Sequence, residues 1–433
     1  MDRQEQDPRD HRGGRADKCV PYSENGEIFA ARVRAAGGVI ETIVKPNCDH
    51  HPHSLEDPRP ITDFIAEHTD FAPRLPNAQY RLKVEKRLTV GFIGGSITDN
   101  TTNGYGWRPR AVEYLRTHYP DAEITEIQAA IGGTGSEFGM YRCEWDLISG
   151  APDLVFIEFA LNDSGDFYPD GEPVSGACTE TIIRKLREKL PYTEIVLTFT
   201  LNKGIRDGMD SGRPYASRDA QTALARVYGL PTVNIGDAMW RAVKHEYGGD
   251  WIPLTKGDCV HPNETGYTYC TREMTAFLDE ALRGDCRTLT RYACPDPINS
   301  KHVVMSAHLE DAYDAETEGF LKIDQPLLPW RPYKHYLEGH PGDALRFTFT
   351  GTTVGILNTL PHDGGKFYAS VDGGEEICRM ARDSYSKHFD RIHYMLLFSG
   401  LTPGEHTLRI RAEDAGDPDD PGNVVRIGAF LVS

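Results

Sequence analysis

Ser96, His261 and Asp258 are side chains whose types suit nucleophilic acyl transfer. A serine hydroxyl is a poor nucleophile until a base within hydrogen-bond reach takes its proton. His261 suits that task, because an imidazole accepts and returns protons near neutrality. Asp258, three residues earlier, can orient the imidazole and stabilise its protonated form. The serine stands where Leu88-Thr-Val-Gly-Phe-Ile-Gly-Gly-Ser-Ile-Thr98 stops being apolar. Leu88, Val90, Phe92 and Ile93 predict a buried strand of an α/β sheet. Gly94 and Gly95 let the backbone turn sharply and leave room for a close approach. The carboxyl end of such a strand faces the crevice where α/β proteins place their ligands.

Further segments follow in order. Ala129-Ala-Ile-Gly-Gly-Thr-Gly-Ser136 is a glycine-rich loop after an apolar stretch. Leu154-Val-Phe-Ile-Glu-Phe-Ala-Leu-Asn-Asp163 reads as a central strand that terminates at Asn162. Asp258-Cys-Val-His261, followed by Pro262-Asn263, occupies a loop before a helix-like run from Tyr267 to Leu282. Taken singly, each is ordinary loop chemistry; their order is what is informative. Together they resemble the four blocks of the SGNH hydrolases, a subset of the GDSL-type esterases, over roughly residues 84 to 284.

The resemblance implies that Ser96, Gly133, Asn162 and His261 are the named residues of those blocks. It favours Gly133 over Gly132 as the oxyanion glycine. The Ser96 and Gly133 N–H groups and the Asn162 side-chain amide are then the expected oxyanion donors, each worth roughly 3 kcal/mol in other hydrolases. One departure is that Gly-Gly-Ser-Ile-Thr stands where many relatives carry Gly-Asp-Ser. That variant is familiar in carbohydrate-acting branches of the family. Competing signatures are missing around Ser96: there is no Gly-x-Ser-x-Gly elbow and no dinucleotide or P-loop glycine spacing.

Strands and helices must alternate to hold these loops at one edge. Strands are predicted near 88–93, 123–129, 154–159, 194–200 and 232–235. Helices are expected near 107–118, 136–149, 177–190, 216–228 and after Glu264. This predicts a three-layer α/β/α parallel-sheet hydrolase domain over 84–290. From 296 to 433, short strands with turn punctuation predict a β-sandwich, jelly-roll-like in character and a candidate carbohydrate-binding module. Residues 1–83 form an amino-terminal extension. Its first 17 residues read as disordered and 27–45 as short strands (Ile28, Phe29, Val33, then 39–44). Residues 50–60 read as a linker. Cys48-Asp49-His50-His51-Pro52-His53 holds metal-type ligands, but its spacing matches no zinc pattern and it reads as a solvated loop.

With 433 residues and 39% apolar content, two domains are the natural expectation. A net charge of −18 argues against nucleic acid or an anionic membrane as partner. No segment approaches the ~20 apolar residues of a membrane helix, and the charged amino terminus has no apolar signal core. Nine cysteines without paired spacing read as reduced thiols, hence a cytoplasmic protein. The expectation is a cofactor-free, metal-free serine esterase that removes acetyl groups from acetylated oligosaccharides. Tyr105, Trp107 and Trp251 are its candidate sugar-stacking rim. The alternatives are a lipid or thioester esterase on the same machinery, or a non-catalytic glycan-binding protein. Homodimerisation is left open.

Overall fold

The computed structural model of the protein describes residues 19–35, 40–45, 55, 60–61, 74–99, 104–328, 333–416 and 422–433. The chain divides into two compact units, Met1–Ala72 and Pro73–Ser433. In the first, helix α1 (Gly26–Ala35) follows the 3-10 turn Tyr22–Glu24. The strand expectation for Ile28, Phe29 and Val33 is therefore wrong. Glu27 in the first turn and Arg32 and Arg34 in the last complement the helix dipole, a pattern that favours a helix. Residues 40–45 carry no regular structure. The expected disorder of 1–17 and the Cys48–His53 cluster lie outside the described residues.

The second unit opens with helix α2 (Pro76–Tyr80), continued by a π-helical turn, Arg81–Glu85. Leu75, Ala78 and Leu82 are buried in the core. The Asn77 amide donates to the carbonyls of Tyr192 and Thr290, both at 2.7 Å. A five-stranded parallel sheet follows: β1 (Arg87–Gly94), β2 (Glu123–Gln128), β3 (Leu154–Glu158), β4 (Glu194–Phe199) and β5 (Thr232–Asn234), in the order β2-β1-β3-β4-β5. One-turn helix α3 (Ser96–Asp99) and helix α4 (Trp107–His118) follow β1, and α5 (Ser136–Asp146) follows β2. Then come α6 (Val174–Lys189), α7 (Lys203–Asp210), α8 (Ala216–Tyr228), α9 (Ile235–His245) and α10 (Glu264–Ala281).

Helices α5, α6 and α8 pack together as one layer, and α4, α9 and α10 as the other. Their inward faces meet strands such as β3, which is buried throughout, as expected for a sheet covered on both sides. Helices α7 and α9 went unread in the sequence. Each starts at an asparagine whose side chain caps it: Asn202 accepts from the Ile205 N–H at 2.8 Å, and Asn234 from that of Asp237 at 3.1 Å. The chain steps from β1 to β2 in one direction and from β3 onward in the other. The reversal opens a crevice at the carboxyl ends of β1 and β3, where α/β sheets bind ligands.

The remaining strands form an antiparallel sheet in the order β12-β11-β13-β10-β14-β9-β8, with β6 on β14 and β7 on β10. The strands are β6 (His308–Asp311), β7 (Glu316–Glu318), β8 (Leu321–Ile323), β9 (Tyr336–Gly339), β10 (Ala344–Leu360), β11 (Lys366–Val371), β12 (Ile377–Met380), β13 (Arg391–Glu413) and β14 (Val425–Val432). The long strands β10 and β13 change register at Gly351/Thr353 and Val354/Gly355. Such bulges bend strands, so the sheet curls on itself. Its interior is a separate core that includes Phe347, Ile410 and Phe430, with Phe347 and Phe430 stacked at 3.8 Å.

The other side of β14 belongs to the core of the parallel sheet. Ala429 and Leu431 cluster with the residues that cover the parallel sheet, while Ile427, Phe430 and Val432 face the second core. Alternation along the strand lets it serve both, with the phase changing at the register shift beside Leu357 and Asn358. The contact is reinforced by Phe138 stacked on Tyr394 at 4.9 Å and by buried Lys185, whose ammonium donates to the carbonyls of Met140, at 3.2 Å, and Ala307. One face of the antiparallel sheet therefore shares the core of the parallel sheet, while its other face encloses the second core.

Candidate active site

The crevice between β1 and β3 gathers the chemistry. Beyond β1, Gly94 and Gly95 are required by crowding: a Cβ on Gly94 would lie 2.6 Å from the Glu158 carbonyl oxygen, and one on Gly95 2.0 Å from Asn162 Oδ1. The glycines let Ser96 start helix α3 with its hydroxyl in the cleft. Thr98 Oγ1 donates to Glu158 Oε2 at 2.8 Å, and the Arg108 guanidinium donates to the carbonyls of Thr98 and Asp99, each at 3.0 Å. The short helix is thus held from below and at its end.

Ser96 Oγ lies 2.8 Å from His261 Nε2, across 165 residues of sequence. His261 Nδ1 lies 2.5 Å from Asp258 Oδ2. Asp258 Oδ1 accepts the N–H groups of Val260 and His261 at 2.9 and 2.8 Å, which folds residues 258–261 into a tight turn. Burial raises the Asp258 pKa, but the His261 ring and those N–H groups outweigh it, and the net shift is downward. Asn263 anchors the turn: its side chain donates to the carbonyls of Pro253 and Thr255, both at 2.9 Å, and caps helix α10 at Gly266. With Asp258 engaged at Nδ1, Nε2 is the nitrogen that can take the serine proton.

The glycine-rich loop is pinned from two sides. Gly132 donates its N–H to Asp99 Oδ2 at 3.1 Å, and Ser136 donates to Asp163 Oδ1 at 2.8 Å. Gly133 lies between them at φ +72°, which suits glycine. The Gly132 N–H is thus engaged within the protein, while Gly133 lines the cavity at Ser96. Asn162, beyond β3, brings its amide beside Gly95 and lines the same cavity as Ser96 and Gly133. Two buried carboxyls lie behind this wall. Burial pushes both Glu158, which accepts from Thr98 and from Thr200 at 2.6 Å, and Asp163 up to about 7. Neither was singled out in the sequence, because a carboxyl becomes unusual only once its surroundings are known.

The packing around Asn162 makes a direct prediction. A methyl group at position 95 must displace the Asn162 amide, so Gly95→Ala is expected to lower turnover by about a hundredfold or more, the usual cost of one oxyanion donor. Steady-state kinetics on a folded, purified variant checks this. Wild-type turnover would show that the amide is not needed where the structure puts it.

The expected aromatic rim is not there. Trp107 is fully buried, its ring edge-on to Phe92 and Phe156 at 5.5 and 5.9 Å. Trp251 is 4% exposed, and Tyr105 packs on Tyr267 at 5.9 Å. None of the three lines the cavity at Ser96, whose volume is about 620 Å³. Trp107 and Trp251 are core residues and Tyr105 packs partly buried against that core, because an aromatic beside a buried strand gains most by joining the interior. Among the described residues, the aromatic side chains on that cavity are Tyr385 and Phe389, 59% and 55% exposed. They come from the segment between β12 and β13. A second cavity of about 660 Å³ adjoins the first and shares Gly133, Asn162 and Arg391 with it.

Among the described residues, no group of three or more histidine, cysteine or acidic side chains is placed to hold a metal ion. No described helix is long and apolar enough to cross a membrane.

Residues 92–269 match the model of the GDSL-like lipase/acylhydrolase family. No curated protein sequence matches the chain. Among solved structures, a two-domain esterase active on acetylated mannans, co-crystallized with mannopentaose, superposes with a TM-score of 0.68 at 21% identity, covering 84% of this chain and 96% of that one. A second structure described as a two-domain esterase active on acetylated mannans gives the same score and identity over 82% and 93%. At that identity the likeness is one of fold, and it extends over both sheets.

Proposed function

From the premise that this chain carries a GDSL-like lipase/acylhydrolase domain of the SGNH type in residues 92–269, we propose that it is a serine esterase that removes acetyl groups from acetylated oligosaccharides. The observation that carries this reading is the 2.8 Å contact between Ser96 Oγ and His261 Nε2, backed by Asp258. Ser96 Oγ attacks the ester carbonyl carbon while His261 Nε2 takes its proton. Negative charge gathers on the carbonyl oxygen, facing the Ser96 and Gly133 N–H groups and the Asn162 amide. The imidazolium then protonates the departing sugar oxygen, leaving acetyl-Ser96. Water, deprotonated by His261, releases acetate and restores the serine. No step needs a metal or an organic cofactor.

Three features support a sugar chain as the leaving group. The two adjoining cavities make an open groove across the oxyanion loop, longer than a small ester needs. Tyr385 and Phe389 offer exposed rings of the kind on which sugar faces stack. The structural neighbour with the same two-sheet fold is named as acting on acetylated mannans. Acetate release from a panel of acetylated mannan and xylan oligosaccharides, set beside para-nitrophenyl esters of increasing acyl length, tests the reading. Release from at least one oligosaccharide is expected. Better turnover of octanoyl than acetyl esters, with no release from the sugars, would instead mark a lipid esterase.

A further inference from the structure

Arg391, the first residue of β13, belongs to the carboxyl-terminal sheet yet stands in the catalytic cleft. Its Nη1 lies 3.7 Å from the point where a Cβ on Gly133 would sit, so the guanidinium is beside the oxyanion loop. It is the cation that lines both arms of the groove. Its Nε is buried without a hydrogen-bond partner among the described residues. Nη2 is paired with the Asp383 carboxylate. Asp383 is itself fixed by the N–H groups of Tyr385 and Ser386, at 2.9 and 3.1 Å, and the Ser386 hydroxyl ties the loop to the Leu360 carbonyl at 3.2 Å. The arginine is thus held rigid before any ligand arrives, which spares a bound ligand the cost of ordering it.

We propose that Arg391 positions the sugar ring that bears the ester, donating hydrogen bonds to the ring's oxygens while Ser96 attacks the acyl carbon. The proposal rests on the esterase reading and names its substrate as a neutral sugar. Asp383 already pairs with the guanidinium, so the two together carry no net charge and the arginine acts as a directional donor. Across the groove stand Asp166 and Glu137, which accepts from the Tyr394 hydroxyl at 2.9 Å and whose pKa is raised by burial, with Asp163 buried behind them. His393, beside them, is lowered to about 4 by burial and then by the Arg391 charge, so it adds no positive charge at neutral pH. A uronate or phosphorylated sugar would meet this acidic wall without a free cation to offset it. Hydroxyl groups, which both donate and accept, suit donors on one side and carboxylates on the other.

The test compares acetylated oligosaccharide with para-nitrophenyl acetate in the full-length Arg391→Met variant. Hydrogen bonds from a charged donor imply that kcat/KM falls about tenfold to a hundredfold further on the oligosaccharide than on the small ester, mostly through KM. Arg391→Lys keeps a charge for Asp383 but loses the planar fork, so it should show the same bias more weakly. It carries the test should Arg391→Met melt well below wild type. Equal losses on the two substrates would overturn the proposal and place the arginine on the oxyanion or in loop stability. No loss on either would overturn it too. Failure of wild-type protein to hydrolyse either substrate would instead remove the esterase reading itself.

Discussion

Ser96→Ala is expected to lower ester turnover by on the order of 10³-fold or more while leaving the fold intact. In the proposed mechanism the serine hydroxyl bonds to the acyl carbon, and alanine offers nothing in its place. What would remain is the catalysis that the proposed Gly133 and Asn162 donors give to attack by water. The stability cost should be small. The Ser96 side chain is half-buried and its hydrogen bond is to His261. A neutral side-chain hydrogen bond contributes only about 1 kcal/mol. Kinetics with para-nitrophenyl acetate and a thermal melt check both halves. Turnover within tenfold of wild type would remove Ser96 as nucleophile, and a collapsed melt would make the kinetic result uninformative about chemistry, in which case Ser96→Cys takes its place.

His261→Ala should be about as damaging, because nucleophile and base act as a unit and removing either disables both. Asp258→Asn should cost less, since the carboxylate orients the ring but touches no reacting atom. The alanine variant should remain folded. Asp258 keeps its bonds to the backbone N–H groups and its side chain is 43% exposed, so no buried charge is stranded. Kinetics with para-nitrophenyl acetate on folded variants checks the ordering, and His261→Ala turnover within tenfold of wild type would mean that His261 is not the base.

A consequence of the shared interior is that removing residues 296–433 is a poor way to ask what the antiparallel sheet does. Ala429 and Leu431 cover the same core as the parallel sheet. Deleting them uncovers apolar surface, so lost activity would report lost folding. Point variants at Arg391, Tyr385 and Phe389 ask the question without that confusion.

Residue pattern alone revealed the parallel sheet and most of its helices. Runs such as Leu154 to Ile157 are apolar at every position, a signature of a strand covered on both faces, and strands alternating with helices leave little choice of architecture. The order of glycine turns and polar residues at strand ends marked Ser96, Gly133, Asn162, Asp258 and His261 for the same reason, since each lies in a short segment whose local chemistry is unusual. Helix α1 escaped because Ile28, Phe29 and Val33 fit either period, and α7 and α9 because they are short and begin at single asparagine caps.

The exposed aromatics Tyr385 and Phe389 on the cavity, the arginine and the joining of the two sheets had no local signature. Tyr385, Phe389 and Arg391 lie about 290 residues from Ser96 in sequence, in a stretch with no motif around it. Trp107 and Trp251 lie close to the catalytic segments in sequence but point inward. Nearness along the chain says which residues share an element. Which face of that element meets solvent, and which distant loop closes over it, follows from how the sheets curl and pack. Here β14 shows why: its apolar run looks like one buried strand, and only the tertiary structure divides its alternating side chains between two cores. That division brings the carboxyl-terminal sheet against the hydrolase core and carries the start of β13 to the oxyanion loop, an arrangement set by long-range burial that no short window of sequence encodes.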